Sequence, residues 1–159
     1  MKVAIIMGSI HDQKIADGAA EVLEKFGVDY EMKVISAHRT PVDASNFATH
    51  AETEGYDVII AIAGKAAHLA GVLASYTIVP VIGVPVSSSV AGLDSLLATV
   101  QMPTGVPVAT VAIDGGKNAG VLAVEILALN NSNLADKLRY YKSELARDVE
   151  AMNKELANK

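Results

Sequence analysis

Short runs of branched aliphatic residues recur through this 159-residue chain, each stopping at a turn and each leading into a stretch with helical spacing. No other feature limits the possible folds as tightly. Residues 2–7 (KVAIIM), 30–35, 57–63 (DVIIAIA), 79–84 and 106–113 read as buried strands. Residues 12–26, 41–54, 66–76, 90–100 and 116–129 read as helices. In the first helix Ile15, Ala19, Val22, Leu23 and Phe26 share a face, and Gly27 is placed to end it. Thr40-Pro41 reads as an N-cap followed by proline at the first helical position. Near-continuous Val/Ile strands separated by helices predict an α/β domain with a doubly wound parallel sheet of five strands and right-handed crossovers.

Hydrophobic residues at 51% against 19% charged exclude a disordered chain, and aromatics at 4% leave the core to Ala, Val, Ile and Leu. The net charge of −5 argues against a nucleic-acid surface, and the lack of cysteine excludes disulfides, zinc–thiolate sites and thiol nucleophiles. The opening residues do not read as a cleavable leader, so the expected compartment is the cytoplasm. Residues 66–93 carry no Asp, Glu, Lys or Arg, but Pro80, Gly83, Pro85 and Ser87-Ser88-Ser89 interrupt them. That stretch predicts a buried helix, strand and loop rather than a membrane span, and its uncharged surface suggests burial between subunits. Residues 1–130 form the α/β domain and residues 131–159 a last helix. Along it Leu134, Leu138, Tyr141, Leu145, Val149, Met152 and Leu156 recur at three- and four-residue steps. The stripe packs either on its own domain or on a neighbouring subunit.

In open parallel sheets ligands bind beyond the carboxyl ends of the strands, where strand order reverses. The loops expected there run through residues 8–12, 36–41 and 64–69, and they hold three of the four histidines. Gly8-Ser9 before a helix start suits a phosphate, although neither Gly-rich nucleotide motif is present. Asp12 is placed either to accept ribose hydroxyls or to cap the helix. Arg39 can grip a phosphate through two N–H groups, and His38 beside it is a candidate general acid/base. His50 falls in the second helix, away from this rim. There is no metal-ligand spacing and no G-x-S-x-G elbow; Gly115-Gly116-Lys117-Asn118 suits a phosphate at a helix start, but a Gly-rich turn is the commoner reading.

Met7-Gly8-Ser9 with Asp12, SAHRTP at 36–41, AAHL at 66–69, PVIGVPV at 80–86, GLDSLL at 92–97 and VQMPTGVPVATVAI at 100–113 resemble the PurE family of purine biosynthesis. The likeness is to its bacterial-type N5-carboxyaminoimidazole ribonucleotide mutases and spans nearly the whole chain. It implies a flavodoxin-like three-layer αβα sandwich with a long C-terminal helix, assembled as a homo-octamer. It implies a reaction without cofactor or metal, in which a carboxylate moves from the exocyclic nitrogen to carbon 4 of an aminoimidazole ribonucleotide. The ribonucleotide is then the small-molecule partner, with hand-over from the ATP-dependent synthetase of the preceding step an open question.

Carried onto this sequence, the resemblance gives Ser9 and Arg39 the 5′-phosphate and Asp12 the ribose. Ser36 and the backbone of Gly64, Lys65, Ala66 and Ala67 line the base and carboxylate pocket. His38 carries the proton, and His68 and Leu69 close the site; Gly8 and Ala37 complete its loops. The chain departs from the pattern at His11, where the family usually has a second Ser, at Lys65 for Gly, and at Ala70 for Pro. The expectation is that His11 and Lys65 supply charge at the phosphate or carboxylate end. The alternatives are a direct carbon-dioxide-dependent carboxylase on the same fold, a relative acting on a pyridine-type mononucleotide, and a non-catalytic flavodoxin-like binding domain. Whether Asp94-Ser95 touches ligand or only caps a helix is not decided by sequence.

Overall fold

The branched runs do form strands. The computed structural model describes residues 1–158, with β1 at Lys2–Met7, β2 at Asp29–Val34, β3 at Val58–Gly64, β4 at Val81–Val86 and β5 at Ala109–Thr110. The helices are α1 (Gln13–Phe26), α2 (Pro41–His50), α3 (Leu69–Tyr76), α4 (Leu93–Val100), α5 (Gly116–Ala128) and α6 (Ser132–Ala157). All strand pairs are parallel, in the order β2-β1-β3-β4-β5. This is the flavodoxin-like order, whose switch point lies between β1 and β3.

Strand alternation divides the core into two layers. Val3, Ile5, Val58, Ile60, Ile62, Ile82 and Val84 pack with α1, α5 and the start of α6. Ala4, Ile6, Ile59, Ala61 and Val81 pack with α2 and α3 on the other face. Burying each large aliphatic side chain contributes about 1.5–3 kcal/mol, so a sheet covered on both faces is a rigid base for the loops at its rim. Helices α1 and α5 come very close. A Cβ on Gly116 would lie 2.0 Å from the Ile15 carbonyl oxygen, and one on Gly120 2.8 Å from that of Ala19. Gly116, expected to form part of a turn, therefore also serves helix packing, whereas a Cβ on Gly115 would meet only Ala112 of its own loop.

Several boundaries differ from the sequence expectation. Helix α2 ends at His50 rather than residue 54, and the chain turns on to Gly55 with φ of 79°. Helix α3 begins at Leu69 rather than 66, because Lys65 has φ of 56° and two i→i+2 bonds follow, Ala67 N–H to Lys65 O and His68 N–H to Ala66 O, both 2.8 Å. Helix α4 begins at Leu93 rather than 90, since Val90 and Ala91 have φ of 45° and 53°. Strand β4 starts after Pro80, which has no N–H to give the ladder. Only Ala109–Thr110 of the expected 106–113 strand pairs as β5. Pro107 cannot donate there, and single bonds from Val111 to Gly83 O and from Asp114 to Pro85 O carry the chain onward beside β4.

Asn131 caps helix α6, its side chain accepting from Leu134 N–H at 3.0 Å. Leu134 and Leu138 are buried, and Tyr141 meets Phe26 edge-on at 5.7 Å. Farther along, Val149, Met152 and Leu156 are 56%, 65% and 70% exposed, so the own-domain reading of the stripe accounts only for its first half. Among the described residues no helix is long and apolar enough to cross a membrane. The uncharged stretch is α3, β4 and the turn after it.

Candidate functional site

Strands β1, β2 and β3 end side by side, so their following loops meet on one rim. Gly8 N–H bonds Ile62 O at 2.9 Å and Ile35 N–H bonds Met7 O at 2.9 Å, which fixes where these loops leave the sheet. Ser9 caps a short 3-10 turn, Ile10–Asp12, its hydroxyl accepting from His11 N–H at 3.3 Å. Asp12 makes no side-chain capping bond to α1 and is nine-tenths buried. Burial raises its carboxyl above the ordinary 3.8, against the Ser9 backbone and the charge of His11. Of its two sequence readings, the helix cap is therefore absent, and the carboxylate is left available to a ligand.

After β2 the chain folds over itself. Thr40 N–H and hydroxyl both bond Ser36 O, at 2.8 and 3.1 Å, while Ser36 N–H donates to Thr40 Oγ1. Arg39 is held by two contacts, Nε to Ser36 Oγ at 3.1 Å and Nη2 to Gly8 O at 3.0 Å. Guanidinium has five N–H donors, so the others can face an anion in a preset orientation. His38 Nε2 lies 2.9 Å from His68 Nδ1 with the rings nearly perpendicular, at 85°. One of these nitrogens must donate and the other accept, which holds both rings in place.

These loops enclose an open cavity of about 550 Å³, a size suited to a small-molecule ligand. Every site residue expected from sequence lines it except Ala67 and His68. Ala67 is buried behind the loop, and His68 reaches the site only through His38. His11 lies between this cavity and a neighbouring one of about 620 Å³ bordered by Lys14, Asp114 and Lys117. Ala70 is buried in the first turn of α3, outside the cavity. Asp94 and Ser95 also lie outside it, at the start of α4, where Asp94 Oδ1 accepts from Ser95 N–H at 2.9 Å. His50, at the end of α2, bonds Asn46 O and takes no part. Sequence reasoning missed Ala63 and Ser88. The signal for Ser88 was its place two residues after the end of β4, on the same rim.

Comparison with known proteins then decides the family. The family model described as AIR carboxylase matches residues 2–148. The chain belongs to that family. It is 58% identical over 147 residues to the N5-carboxyaminoimidazole ribonucleotide mutase of Pyrococcus abyssi, covering 92% of this chain and 84% of that one. It is 51% identical over 143 residues to the chloroplastic phosphoribosylaminoimidazole carboxylase of Vigna aconitifolia, covering 89% of this chain but 26% of that longer protein. Treponema denticola PurE superposes with a TM-score of 0.84 at 31% identity, over 94% of each chain. The loops described above thus belong to an AIR carboxylase family domain.

Proposed function

We infer that this chain converts N5-carboxyaminoimidazole ribonucleotide into 4-carboxy-5-aminoimidazole ribonucleotide, an isomerase step of purine biosynthesis. The relatives named as mutases, matched over most of both chains, support that assignment. The observation that carries its chemistry is one cavity lined both by the fixed guanidinium of Arg39 and by the imidazole of His38.

In this reading Ser9 and Arg39 hold the 5′-phosphate and Asp12 the ribose hydroxyls. The base lies between His38 and the Gly64–Ala66 backbone. Protonated His38 gives its proton to the exocyclic carbamate nitrogen, the carbon–nitrogen bond breaks, and carbon dioxide is released inside the pocket. Carbon 4 of the electron-rich ring then attacks it, forming the carbon–carbon bond. The hydrogen on carbon 4 leaves as a proton to His38, which restores both the aromatic ring and the starting state of the imidazole. His68, hydrogen-bonded to His38, keeps its ring aimed. Atoms and charge balance without a cofactor or metal.

The exposed half of the α6 stripe, together with Leu93, Leu97 and Val100 on α4, supports assembly into a homo-oligomer. We read the octamer implied by the resemblance as that assembly, and the cytoplasm as its compartment. Hand-over from the preceding synthetase would suit an unstable substrate.

The test is to supply substrate labelled in its carboxylate with unlabelled bicarbonate in the buffer. Label kept in the product well beyond dilution by the buffer pool establishes the mutase. Product formed only from free aminoimidazole ribonucleotide and dissolved carbon dioxide would overturn it in favour of the direct carboxylase.

A further inference from the structure

Three consecutive serines follow β4, and the structure gives each a different setting. Ser87 is tied to Asp114: its N–H donates to Oδ1 at 2.9 Å and its hydroxyl donates to Oδ2. The Ser89 hydroxyl donates to Asp94 Oδ2, and that carboxylate also accepts from Ser95 N–H at the first turn of α4. Bonding to Ser89 first, then to the Ser95 N–H and with help from Lys65, holds the Asp94 carboxyl below the usual carboxylate range. It is therefore an ionised acceptor at neutral pH. Ser88, between these two, is fastened only through its backbone, N–H to Val86 O at 3.0 Å. Its hydroxyl has no hydrogen-bond partner among the described residues, and Ser88 lines the cavity that holds His38 and Arg39.

That hydroxyl stands against a glycine. A Cβ on Gly64 would lie 2.7 Å from Ser88 Oγ, so the bare backbone at Gly64 is what lets the serine approach. The loop is also held away from its relaxed shape, with φ of 45° at Val90 and 53° at Ala91, a region that disfavours side chains, β-branched ones above all. Two carboxylates pin a strained loop, and what they leave free is one hydroxyl facing the cavity.

We propose that Ser88 is a further substrate-contacting residue, its hydroxyl donating to an oxygen of the carboxylate that migrates. The assignment rests on the reaction proposed above. Its position selects this part of the substrate: Gly8, Ser9, Asp12 and Arg39 occupy the β1–β2 side of the cavity, while Ser88 lies after β4 beside Gly64 and Lys65. A hydroxyl rotates freely, so one donor can follow a carboxylate from the exocyclic nitrogen to carbon 4. No covalent bond to Ser88 is formed.

Steady-state kinetics of the intact protein test this. Ser88→Ala is expected to lower kcat/KM about tenfold, the loss of one hydrogen bond to a charged group, with Tm unchanged because the hydroxyl bonds nothing in the protein. Ser89→Ala, which releases one pin, is expected to lower kcat/KM when Ser88 is present and to add nothing in the Ser88→Ala background. Wild-type kinetics in Ser88→Ala would overturn the assignment while leaving the reaction intact. A fall in Tm matching the fall in activity would make Ser88 structural, and additive losses in the double variant would overturn the role given to the pin. Failure of the wild type to turn over substrate would overturn the reaction itself, and this assignment with it.

Discussion

Lys65 separates backbone cost from chemical role within one side chain. It occupies a left-handed conformation, φ 56°, directly after β3, at the position where the resemblance expects glycine. A side chain in that region costs about 1–2 kcal/mol. Lys65→Gly removes the cost but gives the unfolded chain more freedom, which takes back about 0.5–1 kcal/mol. Lys65 is exposed, so no burial is lost. The net expectation is a gain of about 0.5–1 kcal/mol, or about 1–4 °C in Tm for a chain of this size. Lys65 also lines the cavity, and the sequence expectation is that its charge attracts the substrate's negative groups. Its loss is therefore expected to raise KM about tenfold, as for one charge-assisted hydrogen bond. Lys65→Ala is the control, because it loses the charge but keeps the strained backbone. Thermal unfolding and steady-state kinetics on the three proteins give the answer. The glycine variant should gain stability and lose affinity; the alanine variant should only lose affinity. A glycine variant no more stable than wild type would refute the strain argument, and an unchanged KM in both variants would make Lys65 a neutral replacement.

Three other outcomes are expected. His38→Asn should lower turnover by about 10²–10⁴-fold while product still binds by calorimetry, and unchanged turnover would remove His38 from the mechanism. The raised Asp12 carboxyl means that burial opposes its charged form, so this group favours the fold fully below its ordinary 3.8 and that contribution is lost as pH rises through its folded value. Asp12→Asn should accordingly be more stable than wild type at pH 7 in urea titrations, by a margin that disappears below about pH 4, while KM rises through loss of the ribose contact. Val149→Glu, placed on the exposed half of the α6 stripe, should leave the circular dichroism spectrum unchanged and reduce the sedimentation coefficient; an unaltered assembly would refute the interface.

The strands and the helices of α1 and α5 were legible because burial on both faces requires aliphatic runs and 3.6-residue spacing, and Val58 to Ile62 or Ile15 to Phe26 meet those needs locally. The site was legible for a topological reason: once Met7, Ile35 and Ala63 are read as strand ends, each within a residue of the observed end, the polar residues that follow must share a rim. What escaped depended on backbone conformations that spacing does not encode. Lys65 and Ala91 are ordinary helix formers held at positive φ, which delayed the starts of α3 and α4. Ser88 escaped because serines after an apolar strand read as an interruption; only the ties of its neighbours to Asp94 and Asp114 give it significance. The two roles open for Asp12 separated only when the structure showed a carboxylate that caps nothing.

The distribution of strain connects these cases. Among the described residues, the non-glycine positions with positive φ are Lys65, Val90, Ala91 and Asp114, which follow β3, β4 and β5. At about 1–2 kcal/mol each, their combined cost is comparable to the whole net stability of a typical domain. Such loops are not shapes the chain would choose by itself; they persist because the aliphatic layers on both faces of the sheet supply the offsetting energy. Asp114 is both a strained residue and the acceptor that fixes Ser87, while Lys65 is strained and acts electrostatically on Asp94, which fixes Ser89. The Ser87–Asp114 pin therefore couples the loops after β4 and β5, while the Ser89–Asp94 pin ties the loop after β4 to the first turn of α4. The aliphatic sheet determines the position of the rim, and this network determines which of its polar groups, Ser88 among them, are left free to meet a ligand.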